Sequence, residues 1–220
     1  MQQSLRIIVA DDHPLFREAL QQALGNLFES VSFVEADSFD SLQGVTADNE
    51  DADLILLDLD MPGAHGFSAL AWLRTQYPAL PVMIVSAASD PRVMRRSVEF
   101  GASGFIPKSS TLATIAEAVK AILAGEVWLP EVARTWDDDS LSQDQDLARR
   151  IASLTPQQFR VLMMLADGLL NKQIAAELEV SEATIKAHVT AIFRKMDVRS
   201  RTQAAVAARR LEQAARLTGS

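Results

Sequence analysis

LILLDLDMPG, residues 54–63, decides the fold. Leu54–Leu57 is a continuous apolar run of four with no alternation, too short for a helix and bounded by acids on both sides. Such a run reads as a strand buried on both faces, and strands of that kind belong to parallel sheets covered by helices on either side. It ends at Asp58, and Met61-Pro62-Gly63 breaks the chain before the next apolar segment.

Working outward, the same alternation of short strand and amphipathic helix repeats. Leu5–Ala10 is a strand-like run that meets Asp11, Asp12, His13 and Pro14. Pro at a first helical position fits the helix that Phe16, Leu20, Ala23, Leu24 and Leu27 then trace. Residues 31–34 read as a strand and 38–46 as a weak helix. Residues 67–76 read as a helix, 81–85 as a buried strand, 91–100 as a helix and Gly104–Pro107 as a short strand. Ile115, Ala118, Val119, Ile122 and Leu123 mark a last helix that stops at Gly125. Five strands and five helices in alternation predict an α/β fold, a doubly wound five-stranded parallel sheet of flavodoxin-like order. Ligands of such sheets bind at the carboxyl ends of the strands, beside the switch point.

The polar residues collect at that edge. Asp11 and Asp12 follow the first strand, Asp58 and Asp60 the third, Ser86 the fourth, and Lys108 the fifth. Converging carboxylates repel one another unless a cation joins them. A hard divalent ion with oxygen ligands, Mg²⁺, fits a site with few protein ligands and retained waters. A carboxylate, a metal, a lysine and a hydroxyl suit phosphoryl transfer onto an aspartate. Any one of these residues is more simply a polar loop residue. All of them in register is poorly explained that way, because the strand ends were placed from the apolar runs alone. His13 and His65 have no partner at ligand spacing and read as loop or capping residues.

The motifs ADDHP (10–14), LLDLDMPGAHG (56–66), VSA (85–87) and GFIPK (104–108) resemble the receiver domain of two-component response regulators over about residues 5–125. That resemblance implies that Asp58 accepts a phosphoryl group from a sensor histidine kinase. It implies Mg²⁺ held by Asp11, Asp12 and Asp58, with the backbone carbonyl of Asp60. Ser86 becomes the hydroxyl that follows the phosphoryl group, Phe105 the switch aromatic and Lys108 the conserved-type lysine. Many receivers carry Pro after that lysine; here Ser109 follows, so a trans bond is expected, since a cis bond before a non-proline costs about 3 kcal/mol.

Charge divides the chain. The 220 residues carry a formal charge of -8, which on its face disfavours nucleic acid. Yet residues 1–150 hold 11 Lys+Arg against 23 Asp+Glu, and residues 151–220 hold 10 against 6. The halves are therefore -12 and +4, an asymmetry that hints at nucleic acid or membrane. Residues 134–146, RTWDDDSLSQDQD, show no hydrophobic periodicity and read as an extended, hydrated linker. The expected organisation is residues 1–126, an acidic linker at 127–150, and a helical domain at 151–220.

In the basic half, Thr155-Pro156-Gln157-Gln158 predicts a capped helix start, with Thr155 as N-cap and Gln158 closing a capping box. Asn171 is read as the cap of a second short helix and Ser181 of a third, with a fourth over about 202–216. Ile185, Val189, Ile192 and Met196 recur on one face of the third helix, and Thr184, Lys186, Ala187, His188, Thr190, Arg194 and Lys195 lie on the other. Short helices joined by a tight turn suit a helix-turn-helix. Residues 152–208 closely resemble the LuxR-type DNA-binding domain. By that resemblance Lys186 and His188 face DNA with Val189 and Thr190 near them, while Lys172, Thr184, Arg199 and Arg201 bind phosphates. Leu170 stands at a usually polar position, an exposed apolar contact for RNA polymerase or the other domain. Glu179 stands at a turn position that is commonly Gly.

Together the halves resemble a response regulator of the NarL/FixJ family. The expectation is a transcription regulator, not an enzyme, that binds promoter DNA and forms a homodimer on phosphorylation of Asp58. Two alternatives stand: a phosphorylation-independent regulator whose first domain binds protein, and an aspartyl-phosphate phosphatase of the haloacid-dehalogenase type, with Asp58 as nucleophile and Asp60 as acid/base. The absence of cysteine excludes a disulfide scaffold, a thiolate metal site and a cysteine nucleophile. No apolar run approaches a bilayer span and the first residues lack a signal-peptide core, which predicts no membrane partner and a cytoplasmic protein.

Overall fold

Three parallel strands set the frame: β1 (Leu5–Ala10), β2 (Val31–Ala36) and β3 (Leu54–Leu57). The computed structural model describes residues 4–135 and 141–214. A two-residue ribbon of β4 (Asp60–Met61) and β5 (Ala64–His65) follows β3, and β6 (Val82–Ser86) and β7 (Gly104–Pro107) complete the sheet. The five-stranded sheet has the order β2-β1-β3-β6-β7, all parallel. The direction of winding therefore reverses at β1, and the crevice lies between the carboxyl ends of β1 and β3. The antiparallel ribbon β4–β5 was not foreseen: Pro62-Gly63 turns the chain back on itself instead of merely breaking it.

The helices are α1 (Pro14–Gly25), α2 (Phe39–Asp48), α3 (Ser68–Gln76), α4 (Pro91–Glu99) and α5 (Leu112–Leu123). Most begin where the local chemistry starts a helix. Ser38 and Ser41 form a reciprocal capping box on α2, the Asp90 carboxylate accepts from Arg92 N, and Thr111 Oγ1 accepts from Thr114 N. Alternate strand residues feed two cores. Ile7, Val9, Leu54, Leu56, Met83, Val85 and Ile106 pack with α1 and α5. Ile8, Ala10, Ile55, Leu57, Val82, Ile84 and Phe105 face the other way, towards α2, α3 and α4. That two-sided burial is why the run 54–57 carries no alternation.

The chain beyond α5 differs from the sequence reading. Trp128 bridges to Gly104 at the open edge of the sheet: Phe105 N donates to Trp128 O (2.9 Å) and Trp128 N to Ser103 O (3.1 Å). A Cβ on Gly104 would lie 2.7 Å from Trp128 O, so this approach requires glycine. A single turn, α6 (Glu131–Arg134), then packs on α4. The expected linker at 134–146 is overturned over its last part, because α7 (Leu141–Ala152) is a helix that begins inside it. Its buried Leu147 and Ile151, spaced four apart, supply the apolar stripe. Both residues lie beyond the polar stretch 134–146, which by itself carries no such periodicity. Asp137, Asp138 and Asp139 lie outside the described residues.

Four helices follow: α8 (Pro156–Ala166), α9 (Asn171–Glu177), α10 (Glu182–Met196) and α11 (Arg201–Ala214). The capping box forms as read, with Gln158 N donating to Thr155 Oγ1 and Thr155 N to Gln158 Oε1. Asn171 is the first helical residue rather than the cap of α9; Leu170 takes the cap position, and its N–H donates to Gln173 Oε1 at 2.7 Å. Glu179, in the turn between α9 and α10, has φ +53°. The helical part docks on the sheet-bearing part through α7, which packs on α3 and α4, and α8, which packs on α3. Phe39 and Trp72 on one side and Pro156, Phe159 and Met163 on the other line a cleft at that seam. Among the described residues, no helix is long and apolar enough to cross a membrane.

Candidate functional site

The strand ends bring the acids together. Asp58 N donates to Ala10 O (2.8 Å) and Asp11 N to Ala36 O (2.9 Å), so the loops after β1 and β3 leave the sheet side by side. Asp11 and Asp58 are both nearly buried, and Lys108 reaches between them from the end of β7. Its Nζ lies 2.7 Å from Asp11 Oδ2 and 2.8 Å from Asp58 Oδ2. Lys108 N also donates to Ser86 O (2.8 Å), which ties the lysine loop to the end of β6. The ring of Phe16 lies beneath the ammonium, 4.9 Å from its centroid.

Burial pushes the Asp58 carboxyl up, and the Asp11 charge pushes the same way; Lys108 and the Asp60 N–H oppose them. Burial presses the Lys108 ammonium down, but its bonds to Asp11 and Asp58 outweigh that and hold it above its ordinary value. The excess of negative charge in this pocket follows from formal count, since the carboxylates of Asp11, Asp12 and Asp58 gather around one lysine.

Ligand atoms of Asp11, Asp12, His13 and Asp58 lie within 4.8 Å of one another. Asp12 Oδ1 is buried without a donor in hydrogen-bonding alignment, although the His13 ring comes within 2.6 Å of it. His13 is the N-cap residue of α1 without a side-chain capping bond, and its ring turns back onto the acids. His13 thus holds the cap position expected of it, but the expectation that it has no partner at ligand spacing is corrected, since its Nδ1 lies 3.1 Å from Asp11 and 2.6 Å from Asp12. An undercompensated group of carboxylate oxygens fits a hard divalent cation. Asp60 lies beside them on β4 and is exposed. Ser86 is buried, its Oγ accepting from Ala88 N (3.3 Å), and Phe105 is fully buried in the core beside α4.

Comparison with known proteins identifies the family of both halves of the chain. The family model of the response regulator receiver domain matches residues 7–120, and that of bacterial regulatory proteins of the luxR family matches residues 152–208. The glycerol metabolism activator of Pseudomonas putida is 41% identical over 208 residues, covering 92% of this chain and 94% of that one. The nitrate/nitrite response regulator protein NarL of Escherichia coli K12 is 32% identical over 207 residues, covering 93% and 95%. This chain is a response regulator of the NarL/FixJ family. RcsB of Salmonella enterica serovar Typhimurium, solved bound to a promoter in the presence of the phosphomimetic BeF3−, shares the fold at a TM-score of 0.51. That likeness is at 22% identity and covers 93% of this chain and 98% of that one.

In this response regulator the receiver is joined to a LuxR-type DNA-binding domain, whose third helix is α10. Ser181 caps it, accepting from Thr184 N at 3.1 Å. Lys186, Ala187, Thr190, Ala191 and Arg194 line an open concave stripe along it. Lys186 pairs loosely with Glu182 (3.3 Å), and Thr190 Oγ1 donates to Lys186 O. His188 is half-buried, and Val189 packs against the helical core, as its place on the apolar face with Ile185, Ile192 and Met196 implies. Lys172, Thr184 and Arg199 are exposed. Arg201 is half-buried, and its guanidinium donates to Leu169 O. Lys195 turns away from the stripe altogether, donating to Ser153 O (2.6 Å) and Gln158 Oε1 (2.8 Å). Periodicity places a lysine on a face but does not say which way its long stem folds.

Proposed function

We propose that Asp58 of this response regulator accepts a phosphoryl group from a sensor histidine kinase and that the modified chain regulates transcription from promoter DNA. The observation that carries this reading is the bridge from Lys108 to Asp11 and Asp58, 2.7 and 2.8 Å long, in a pocket short of positive charge. An Asp58 carboxylate oxygen attacks phosphorus, the P–N bond to the donor histidine breaks, and the electron pair returns to the imidazole ring. Lys108 is within reach of the new phosphoryl oxygens and offsets their charge. Asp11, Asp12 and Asp58, with the Asp60 carbonyl, would hold Mg²⁺, which supplies charge neutralisation on the transferring group when bound.

Phosphorylation adds a compact charge that biases a two-state surface. Ser86, whose carbonyl already accepts from Lys108 N, supplies the hydroxyl that follows the phosphoryl group. Phe105 couples that shift to β7 and the chain beyond it, through its main-chain bond to Trp128 O. The expected consequence is homodimerisation and altered docking of the DNA-binding domain. On DNA, Lys186, His188 and Thr190 read base edges with Val189 beside them, and Lys172, Thr184, Arg199 and Arg201 meet phosphates. Exposed Leu170 offers an apolar contact to RNA polymerase. In this reading the protein works in the cytoplasm, with residues 1–126 as receiver and 151–220 as DNA reader.

The test is incubation with acetyl phosphate and Mg²⁺. One phosphoryl group per chain, absent in Asp58→Asn, supports the reading, and sustained turnover of the ester supports a phosphatase instead. Equal promoter affinity for Asp58→Ala and phosphorylated wild type would establish a phosphorylation-independent regulator.

A further inference from the structure

Arg17 sits one turn into α1, and its side chain is only 13% exposed although it carries a full charge. Its Nη1 donates to the main-chain oxygen of Asp11 at 2.6 Å. Its Nε donates to Glu35 Oε2 on β2, also at 2.6 Å, and Gln21 Nε2 donates to the other Glu35 oxygen at 2.8 Å. Hydrogen bonds from Gln21 and then Arg17 hold the Glu35 carboxyl below its ordinary range. The guanidinium is therefore pinned on one side by a neighbouring strand and grips the acidic loop on the other.

Asp11 is thereby fixed through every polar group of its own. Its N–H donates to Ala36 O, its carbonyl accepts from Arg17, and its two carboxylate oxygens face His13 N (2.9 Å) and Lys108 Nζ. We propose that Arg17 is a positioning residue for the cation pocket: by holding the Asp11 carbonyl it fixes the direction of the Asp11 carboxylate. The inference rests on the reading of Asp11, Asp12 and Asp58 as cation ligands. Outer-layer partners of metal ligands have this effect generally, and their loss weakens metal affinity by about 10- to 100-fold.

Charge and positioning make opposite forecasts here. Removing Arg17 deletes a positive charge beside three carboxylates, so charge alone would tighten cation binding. Loss of positioning weakens it.

The experiment is a calorimetric titration of the full chain with Mg²⁺, for wild type, Arg17→Ala, Arg17→Lys and the charge-neutral pair Arg17→Ala with Glu35→Gln. Melting without Mg²⁺ checks that each variant folds. The expected result is about tenfold weaker Mg²⁺ binding in Arg17→Ala and in the pair. Arg17→Lys should be intermediate, since one ammonium cannot span both partners as a planar fork does. If Arg17→Ala does not fold, Arg17→Lys decides, because it keeps the charge and loses the second grip. Unchanged or tighter binding in the variants overturns the inference while leaving the pocket reading intact. No Mg²⁺ binding by wild type overturns the pocket reading, and this inference with it.

Discussion

Arg150 Nη1 donates to the main-chain oxygen of Met196 at 2.7 Å, fastening α7 to the last turn of α10. The same guanidinium lies 3.1 Å from Asp197 Oδ2 and donates from Nε to Asp146 Oδ2 at 2.7 Å. Asp197 is the left-handed C-cap residue of α10, so Arg150 meets the carbonyl end of that helix, where a cation is favoured. Lys195 adds a second tie from α10 to Ser153, just past α7. Because α7 also packs on α3 and α4 of the receiver, it is held from both sides, as α8 is through α3 and α10. Arg150→Ala should free the last turn of α10, seen as several-fold faster amide hydrogen exchange from residues 193–197. Unchanged exchange there would show that the clamp contributes nothing.

Glu179 is the clearest place to gain stability. Its φ of +53° crowds the Cβ of any residue but glycine. Replacing it by Gly removes about 1–2 kcal/mol of that strain, and the backbone freedom glycine adds to the unfolded chain offsets only part of the gain, so Glu179→Gly should stabilise the DNA-binding domain by up to about 1 kcal/mol. Chemical denaturation of the full chain, followed through the helical signal of that domain, measures it. A loss of stability would mean that the Glu179 side chain makes a compensating contact.

Asp90 gives a pH-dependent cap. Its carboxylate accepts from Arg92 N at 2.8 Å and pairs with the Arg92 side chain, and these bonds hold its carboxyl below the ordinary value. A lowered folded-state value stabilises the fold above the unfolded value, and the benefit is lost as pH falls through the folded one. Asp90→Ala should therefore lose about 1 kcal/mol at neutral pH. The difference from wild type should vanish once the medium is acid enough to protonate the wild-type carboxylate. A gap that persists there would trace the effect to packing.

DNA binding separates two kinds of charge. Lys172→Ala and Arg199→Ala should weaken binding to all sequences and lower the salt slope by about one each. Lys186→Ala should instead relax sequence preference, at a discrimination loss of about 1–3 kcal/mol. Titrations on promoter and random DNA at several salt concentrations decide this. Equal losses on both for Lys186→Ala would remove it from the base-reading set. Arg201→Ala should in addition destabilise the α8–α9 turn, because its guanidinium already serves Leu169 O.

The receiver was legible because its signals are local. Leu54–Leu57 is apolar on both faces, and Asp11, Asp58, Ser86 and Lys108 each lie at or just past the end of a strand, so the shared direction of parallel strands sent them to one edge. Caps at Thr155 and Ser181 depend on bonds three residues away and were equally readable. Arg17 was not, since its partners Asp11 and Glu35 are brought to it by separate strands. Nor was the reach of the exposed His13 ring to the acids or the folding of Lys195 and Arg201 onto main-chain oxygens, since each depends on what happens to lie beside it in space.

By itself the sequence determined the alternation of strands and helices, the carboxylate edge and the opposed charges of the two halves. Those follow from hydrophobic period and from backbone chemistry within a few residues. Only the tertiary structure decided that 141–152 is a helix, that Trp128 closes the β7 edge, and that α7 and α8 seat the DNA reader on α3 and α4. A helix as polar as α7 is stabilised chiefly by what its stripe of Leu147 and Ile151 packs against, and that surface belongs to residues distant in the chain.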